Sequence, residues 1–152
     1  MNKFLTTLFI RQNKHHNHSV LVHTLNVFRY ALLSKQTKFL TAAILHDIGK
    51  PLVATIDDDK YGYSFTNHEE KSYQIIKNWP FVSDYTKNIV RYHYLRRRIL
   101  KDGKKLREGK NSSNGDLITQ KGICNMINTY LSFSPEFKKD LKKFQKLDDK
   151  AK

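Results

Sequence analysis

Only one cysteine, three prolines and six glycines occur among the 152 residues, and 14 acids face 28 lysines and arginines. A lone Cys124 forms no internal disulfide, which excludes a stapled secreted scaffold and suits a reducing compartment. So few breakers, with no regular valine-rich alternation, leave little for a sheet. No apolar run approaches the ~20 residues that span a bilayer. Phe4 to Ile10 could pass for a leader, but it is short, ends at Arg11 and is followed by no small-residue cleavage site. These absences point to a soluble cytoplasmic protein with no membrane partner. They also predict an all-α fold, a compact bundle of about six or seven helices forming a single domain over 1–152. They set no oligomeric state.

What is present in excess is positive charge. A formal net charge of +14 favours anionic partners such as nucleotides, nucleic acid or an acidic surface. A lysine- and asparagine-rich genome writing basic surfaces is the plainer alternative, and both readings stay open.

The pattern predicts a short helix over 2–10 and another over 19–33, its stripe formed by Leu21, Leu25, Phe28 and Leu32 with Ser19 as N-cap. A nearly all-apolar helix over 38–46 reads as central. Residues 51–66 read as irregular, and Asn67 with Glu70 reads as a capping box opening the next helix. A helix over 83–100, a polar loop over 101–116, and helices over 117–131 and 135–147 complete the chain. Its charged tail is expected to fray after 147.

The run Ile44-Leu45-His46-Asp47-Ile48-Gly49-Lys50-Pro51 carries the chemistry. An apolar stem delivers an imidazole and a carboxylate side by side, and Gly49 and Pro51 are expected to end the helix so that both side chains reach its mouth. Three more histidines, His23, His68 and His93, stand at separations of 23, 22 and 25 residues, one for each of four successive helices. Bundles build metal centres in this way, from side chains of facing helices. A lone helical histidine is usually a satisfied core or surface residue, but four at this spacing around a His-Asp pair are not explained so.

From Gln12 to Tyr94 these residues resemble the HD superfamily of metal-dependent phosphohydrolases. His23 matches the family's first histidine and His46-Asp47 its pair. Leu45 to Pro51, Thr55 to Asp59 and Asn67-His68-Glu69-Glu70 resemble more narrowly the HD domain attached to bacterial CCA-adding tRNA nucleotidyltransferases, as does the lead-in Gln12 to His16. The nucleotidyltransferase domain itself has no counterpart before His23. The family closes its first metal site with an aspartate on a late helix. Here that position falls on Asn125, with Asp116 as the nearest upstream carboxylate.

The resemblance implies that His23, His46 and Asp47, with Asn125 or Asp116, hold one divalent ion, and that Asp47, His68 and His93 hold a second. A histidine-rich set suits Mn, Fe, Co, Ni or Zn better than Mg. Asp47, His68, His93 and Lys50 are then the catalytic candidates, with His68 or His93 binding phosphate or protonating the leaving oxygen if one ion suffices. Lys50 either contacts a phosphate oxygen or answers a helix dipole. His16 is a further substrate candidate. From Leu95 to Lys110 eight basic residues meet two acids, beginning with Arg96-Arg97-Arg98 just after His93. That triplet is placed to lead a nucleotide or RNA end inward, although charge runs are usually solvated faces. Asp57-Asp58-Asp59 lacks the spaced ligands of a calcium loop. The expected function is hydrolysis of a phosphate ester of a nucleotide or nucleotide-like substrate. The alternative is a weakened HD protein that binds nucleotide or nucleic acid through its basic face.

Overall fold

The computed structural model describes residues 9, 11–13, 16–57, 62–110 and 117–151. Among them run eight α-helices, six of them nine residues or longer, with two short antiparallel ribbons. The architecture is all-α, and no described helix is long and apolar enough to cross a membrane. Most of 2–10, where the sequence pattern puts a first helix, lies outside the described residues.

The first ribbon pairs β1 (Arg11–Asn13) with β2 (His16–Ser19) and leads directly into α1 (Val20–Leu33). Ser19 caps that helix, its Oγ accepting from the Val22 amide at 3.3 Å, a cap worth ~1 kcal/mol. The buried stripe is Val20, His23, Val27 and Ala31, not the expected one, for Leu25 and Leu32 are 56% and 53% exposed. Both faces of α1 are apolar, and the face carrying small Ala31 allows the closer approach to its neighbours.

A single 3-10 turn at Thr37–Phe39 precedes α2 (Leu40–Leu45), in place of the one longer helix that the apolar run predicts. Ala42 and Ala43 are fully buried and let α2 settle against α1. After a turn over 46–49 comes α3 (Lys50–Val53), then the hairpin of β3 (Thr55–Asp57) and β4 (Gly62–Ser64), with Ile56 opposite Tyr63. This hairpin occupies the stretch that reads as irregular in the sequence.

α4 spans His68–Ile76. Asn67 before it takes a left-handed φ of 62° and does not cap it; its Oδ1 receives Arg98 instead, while Glu70 binds Arg91, so there is no capping box. Ser83 caps α5 (Asp84–Tyr92) through the Thr86 amide. The chain breaks at His93 and Tyr94, and α6 runs over Leu95–Arg107, taking the first seven residues of the expected loop, whose 111–116 lie outside the described residues. Lysines, arginines and leucines are good helix formers and carry the helix through Gly103, where a side chain would meet only open space.

α7 (Gln120–Ser132) and α8 (Pro135–Lys150) are capped by Thr119 and Ser134. The expected fraying after 147 is corrected: α8 continues to Lys150, and Asp148 and Ala151 are 8% and 2% exposed. The core joins α8 to the 3-10 turn before α2 through Phe144 and Phe39, whose rings meet edge to face at 5.6 Å. Val27, Ile76, Ile89 and Val90 fill the space around them.

Candidate metal centre

Four histidines from α1, the end of α2, the start of α4 and the end of α5 converge on Asp47, and all four are buried. Each one anchors its Nδ1 on a backbone carbonyl. His46 donates to Ala43 at 2.9 Å, His68 to Phe65 at 2.8 Å, His93 to Val90 at 2.7 Å and His23 to Ala151 at 3.2 Å. Three of these partners lie three residues upstream, so the local backbone itself orients the ring. With Nδ1 tied to an acceptor, Nε2 is the atom each ring turns inward, the tautomer a metal ligand requires.

Asp47 sits between them. Its Oδ2 lies 3.2 Å from His46 Nε2, 3.5 Å from His23 Nε2 and 2.7 Å from Lys50 Nζ, and its Oδ1 lies 3.4 Å from His68 Nε2. Two overlapping trios result, His23-His46-Asp47 and Asp47-His68-His93, each with donor atoms within 4.8 Å of one another. Among the described residues no donor meets the buried Asp47 Oδ2 in hydrogen-bonding geometry, even with the Lys50 ammonium beside it. An anionic oxygen left so by the protein is the kind a cation satisfies.

The late carboxylate is Asp148. Its Oδ1 is 2.9 Å from His23 Nε2 and 3.7 Å from His46 Nε2. Asn125, expected here, is exposed on α7 and lines a cleft of about 460 Å³ with Glu69, Arg91 and Arg98. Asp116 lies outside the described residues. Sequence reasoning misses Asp148 because Asp148-Asp149-Lys150 reads as a charged tail. A signal is nevertheless there: Asp148 follows Leu141 by seven residues and Phe144 by four, so it occupies the apolar stripe of α8.

Burial disfavours charge in this centre, and the direction of each shift tells whether a neighbour outweighs it. Burial pushes His46 down, but Asp47 and Asp148 together win and raise its pKa to about 9. For His68 and His93 burial prevails, aided by Lys50 at the one and by His46 at the other, and both fall to about 4. Burial works against ionised Asp47 and Asp148 too. Facing histidines, with Lys50 for Asp47, nonetheless hold both carboxyls well below the usual range. Near neutrality His68 and His93 are therefore uncharged, as ligands must be. A proton on His46 between two carboxylates marks where positive charge is demanded, and a divalent cation bound there would displace it.

Gly49 shapes the centre by close approach, not by ending a helix. Its φ is −81°, and a Cβ on it would stand 2.5 Å from the Ser72 amide nitrogen and 2.9 Å from the His68 carbonyl. Its own amide donates to Ser72 Oγ at 2.9 Å, clamping the turn after Asp47 onto α4. Lys50 opens α3, so the dipole at a helix C-terminus does not explain it; the side chain is buried and turned to Asp47.

The basic triplet divides. Arg97 pairs with Asp149 and lies 3.8 Å from Asp148 Oδ2. Arg98 reaches Glu69 at 3.2 Å and Asp102 at 3.5 Å. Arg96 is exposed. Two of the three thus brace carboxylates around the centre. The backbone of His16 lies in β2 and its side chain falls outside the described residues, as do Asp58 and Asp59.

Residues 20–121 match the family model of the HD domain. The chain belongs to the HD domain family. Most members of that family are phosphohydrolases, and HD domains bind divalent metals. The match includes the HD pair His46-Asp47 and the other three histidines, and it stops before Asp148, which this HD domain supplies from beyond the matched span. No curated protein and no solved structure matches the chain.

Proposed function

We infer that this HD domain is a metal-dependent phosphohydrolase that cleaves a phosphate ester of a nucleotide or nucleotide-like molecule. The observation that carries the reading is the inward turn of the four imidazoles, every Nδ1 tied to a carbonyl, around two buried aspartates. His23, His46, Asp47 and Asp148 would hold one divalent ion; Asp47, His68 and His93 would hold a second. Such an ion supplies a water acidic enough to lose its proton near neutrality, together with Lewis-acid polarisation of the phosphoryl oxygen. A donor set rich in imidazole favours Mn, Fe, Co, Ni or Zn over Mg.

The chain's own residues add three further things. Lys50 brings a buried ammonium against Asp47, ready to pair with a phosphate oxygen. Neutral His68 and His93 accept either a metal or a proton. Asp47, with both oxygens facing imidazoles, is suited to bridge two ions. The ground for a weakened first site is an asparagine, and the position of Asp148 beside His23 and His46 supports an intact site instead. Likeness to the HD domain of CCA-adding enzymes turns the substrate reading toward RNA ends, including 2′,3′-cyclic phosphates, by analogy alone. A nucleotide substrate suits a cytoplasmic location, and no helix among the described residues is long and apolar enough to cross a membrane.

The test is a hydrolysis panel of nucleoside mono- and triphosphates, cyclic nucleotides and RNA 3′-terminal phosphates. Metal-stripped protein is resupplied in turn with Mn²⁺, Co²⁺, Ni²⁺, Zn²⁺ and Mg²⁺. Turnover of one substrate class that needs metal and vanishes in Asp47→Ala supports the reading. No turnover with any metal overturns it.

A further inference from the structure

α8 carries a second feature that the metal centre does not use. Its inner face is Asp140, Leu141, Phe144, Leu147 and Asp148, all buried. On its outer side Lys139, Lys142, Lys143, Lys146 and Lys150 follow one another at helical spacing, and all but half-buried Lys143 are exposed. Lysines on a helix surface are commonly matched by acids one turn away. Here Lys139, Lys142, Lys143 and Lys146 form no ion pair among the described residues. Two of the neighbouring acids are engaged elsewhere, Asp140 by Lys38 and Tyr85 and Asp149 by Arg97, while exposed Glu136 stands at the start of the row.

We propose that the outer face of α8 is a binding track for a nucleic-acid strand. The row extends about 16 Å along the helix. It is exposed and linear, which fits successive phosphates of a polymer better than one small anion. An adsorbing membrane helix would need its apolar residues outward, whereas those of α8 lie in the core against Phe39 and His46. The row ends at Lys150, on the same helical turn as Asp148 but on the opposite face of α8. Binding here does not depend on hydrolysis and is measured without turnover.

The experiment is fluorescence anisotropy of a labelled single-stranded RNA of about 20 nucleotides over a salt series, with vesicles of phosphatidylserine and phosphatidylcholine as the competing surface. One variant carries Lys139→Gln, Lys142→Gln, Lys143→Gln and Lys146→Gln, which preserve helix propensity. A control removes the same charge elsewhere, through Lys35→Gln, Lys71→Gln, Lys77→Gln and Lys121→Gln. The proposal expects the α8 variant to lose affinity and its log K against log salt to flatten by about 3, near 0.7 for each lost contact, with the control close to wild type. It is overturned if wild type does not bind RNA, if the two variants weaken equally, or if the α8 lysines are needed for vesicles and not for RNA.

Discussion

Gly49 and Ser72 approach so closely that no side chain fits between them: a Cβ on residue 49 would stand 2.5 Å from the Ser72 backbone nitrogen. Because backbone, not a flexible side chain, blocks the way, Gly49→Ala must separate the HD turn from α4. His68 begins α4 and Asp47 lies in the turn, so the cost falls on their 3.4 Å contact. Gly49→Ala is expected to lose about 1–3 kcal/mol of stability and to weaken metal retention. Chemical denaturation and metal analysis of the purified variant check both, and unchanged values would remove the clamp from the account.

Asp148 and Asn125 make opposite predictions. Asp148→Ala should reduce bound metal and abolish the stabilisation that added metal gives. At a metal concentration a hundred times Kd that stabilisation is about 2.7 kcal/mol, or roughly 5–11 °C in Tm for a chain of this size. Asn125→Ala should keep both. Thermal scans with and without metal and chelator decide between them.

Arg97 stands over Tyr94 and pairs with Asp149 beside Asp148. Partners that orient a ligand typically contribute 10–100-fold to metal affinity or activity. Arg97→Ala is expected to lower metal affinity by about that factor, whereas exposed Arg96→Ala leaves it unchanged. A competition titration against a chromophoric chelator measures both, and equal effects would reduce the triplet to a diffuse basic patch.

Away from the centre, Asp140 joins three elements, accepting from Lys38 at 2.6 Å and from the Tyr85 hydroxyl at 2.8 Å. Burial pushes its carboxyl up, yet these two donors outweigh burial and hold it below its ordinary value. Its stabilising contribution is therefore complete above the unfolded pKa of about 3.9 and is lost as pH falls through the folded value. Asp140→Asn should cost about 1–2 kcal/mol at pH 7 and progressively less toward pH 3. Urea titrations at pH 7, 5 and 3 test this. Asp47 and Asp148 titrate in both proteins, so the difference isolates Asp140; a gap that widens on acidification would reverse the sign.

Much of the site is legible in the amino-acid sequence, for physical reasons particular to each residue. His46 and Asp47 are adjacent on an apolar stem, and His23, His68 and His93 repeat at nearly one helix-and-loop length. The break of α5 at His93 is not legible, because the apolar pattern passes through it uninterrupted. Gly49 reads as a helix ender and not as a point of close approach, since close approach depends on a partner helix that periodicity does not reveal. Gly103 suggests a loop where strong helix formers on both sides carry α6 through. The stripe of α1 is misassigned because both its faces are apolar, and only packing against α2 and α8 chooses between them.

Asp148 pairs with His23 across 125 residues of chain, and the His23 ring leans on the carbonyl of Ala151. On a ribosome five of the six converging side chains are already made when His93 is added. They then wait through the synthesis of α6, α7 and nearly all of α8, roughly 3–11 s at ordinary elongation rates. Until Asp148 and Ala151 emerge, the HD pair lacks the carboxylate that closes its first trio and the carbonyl that orients its first ring. Metal capture is thus tied to the last turn of α8, and a chain released early would leave the ribosome with a gathered but open centre.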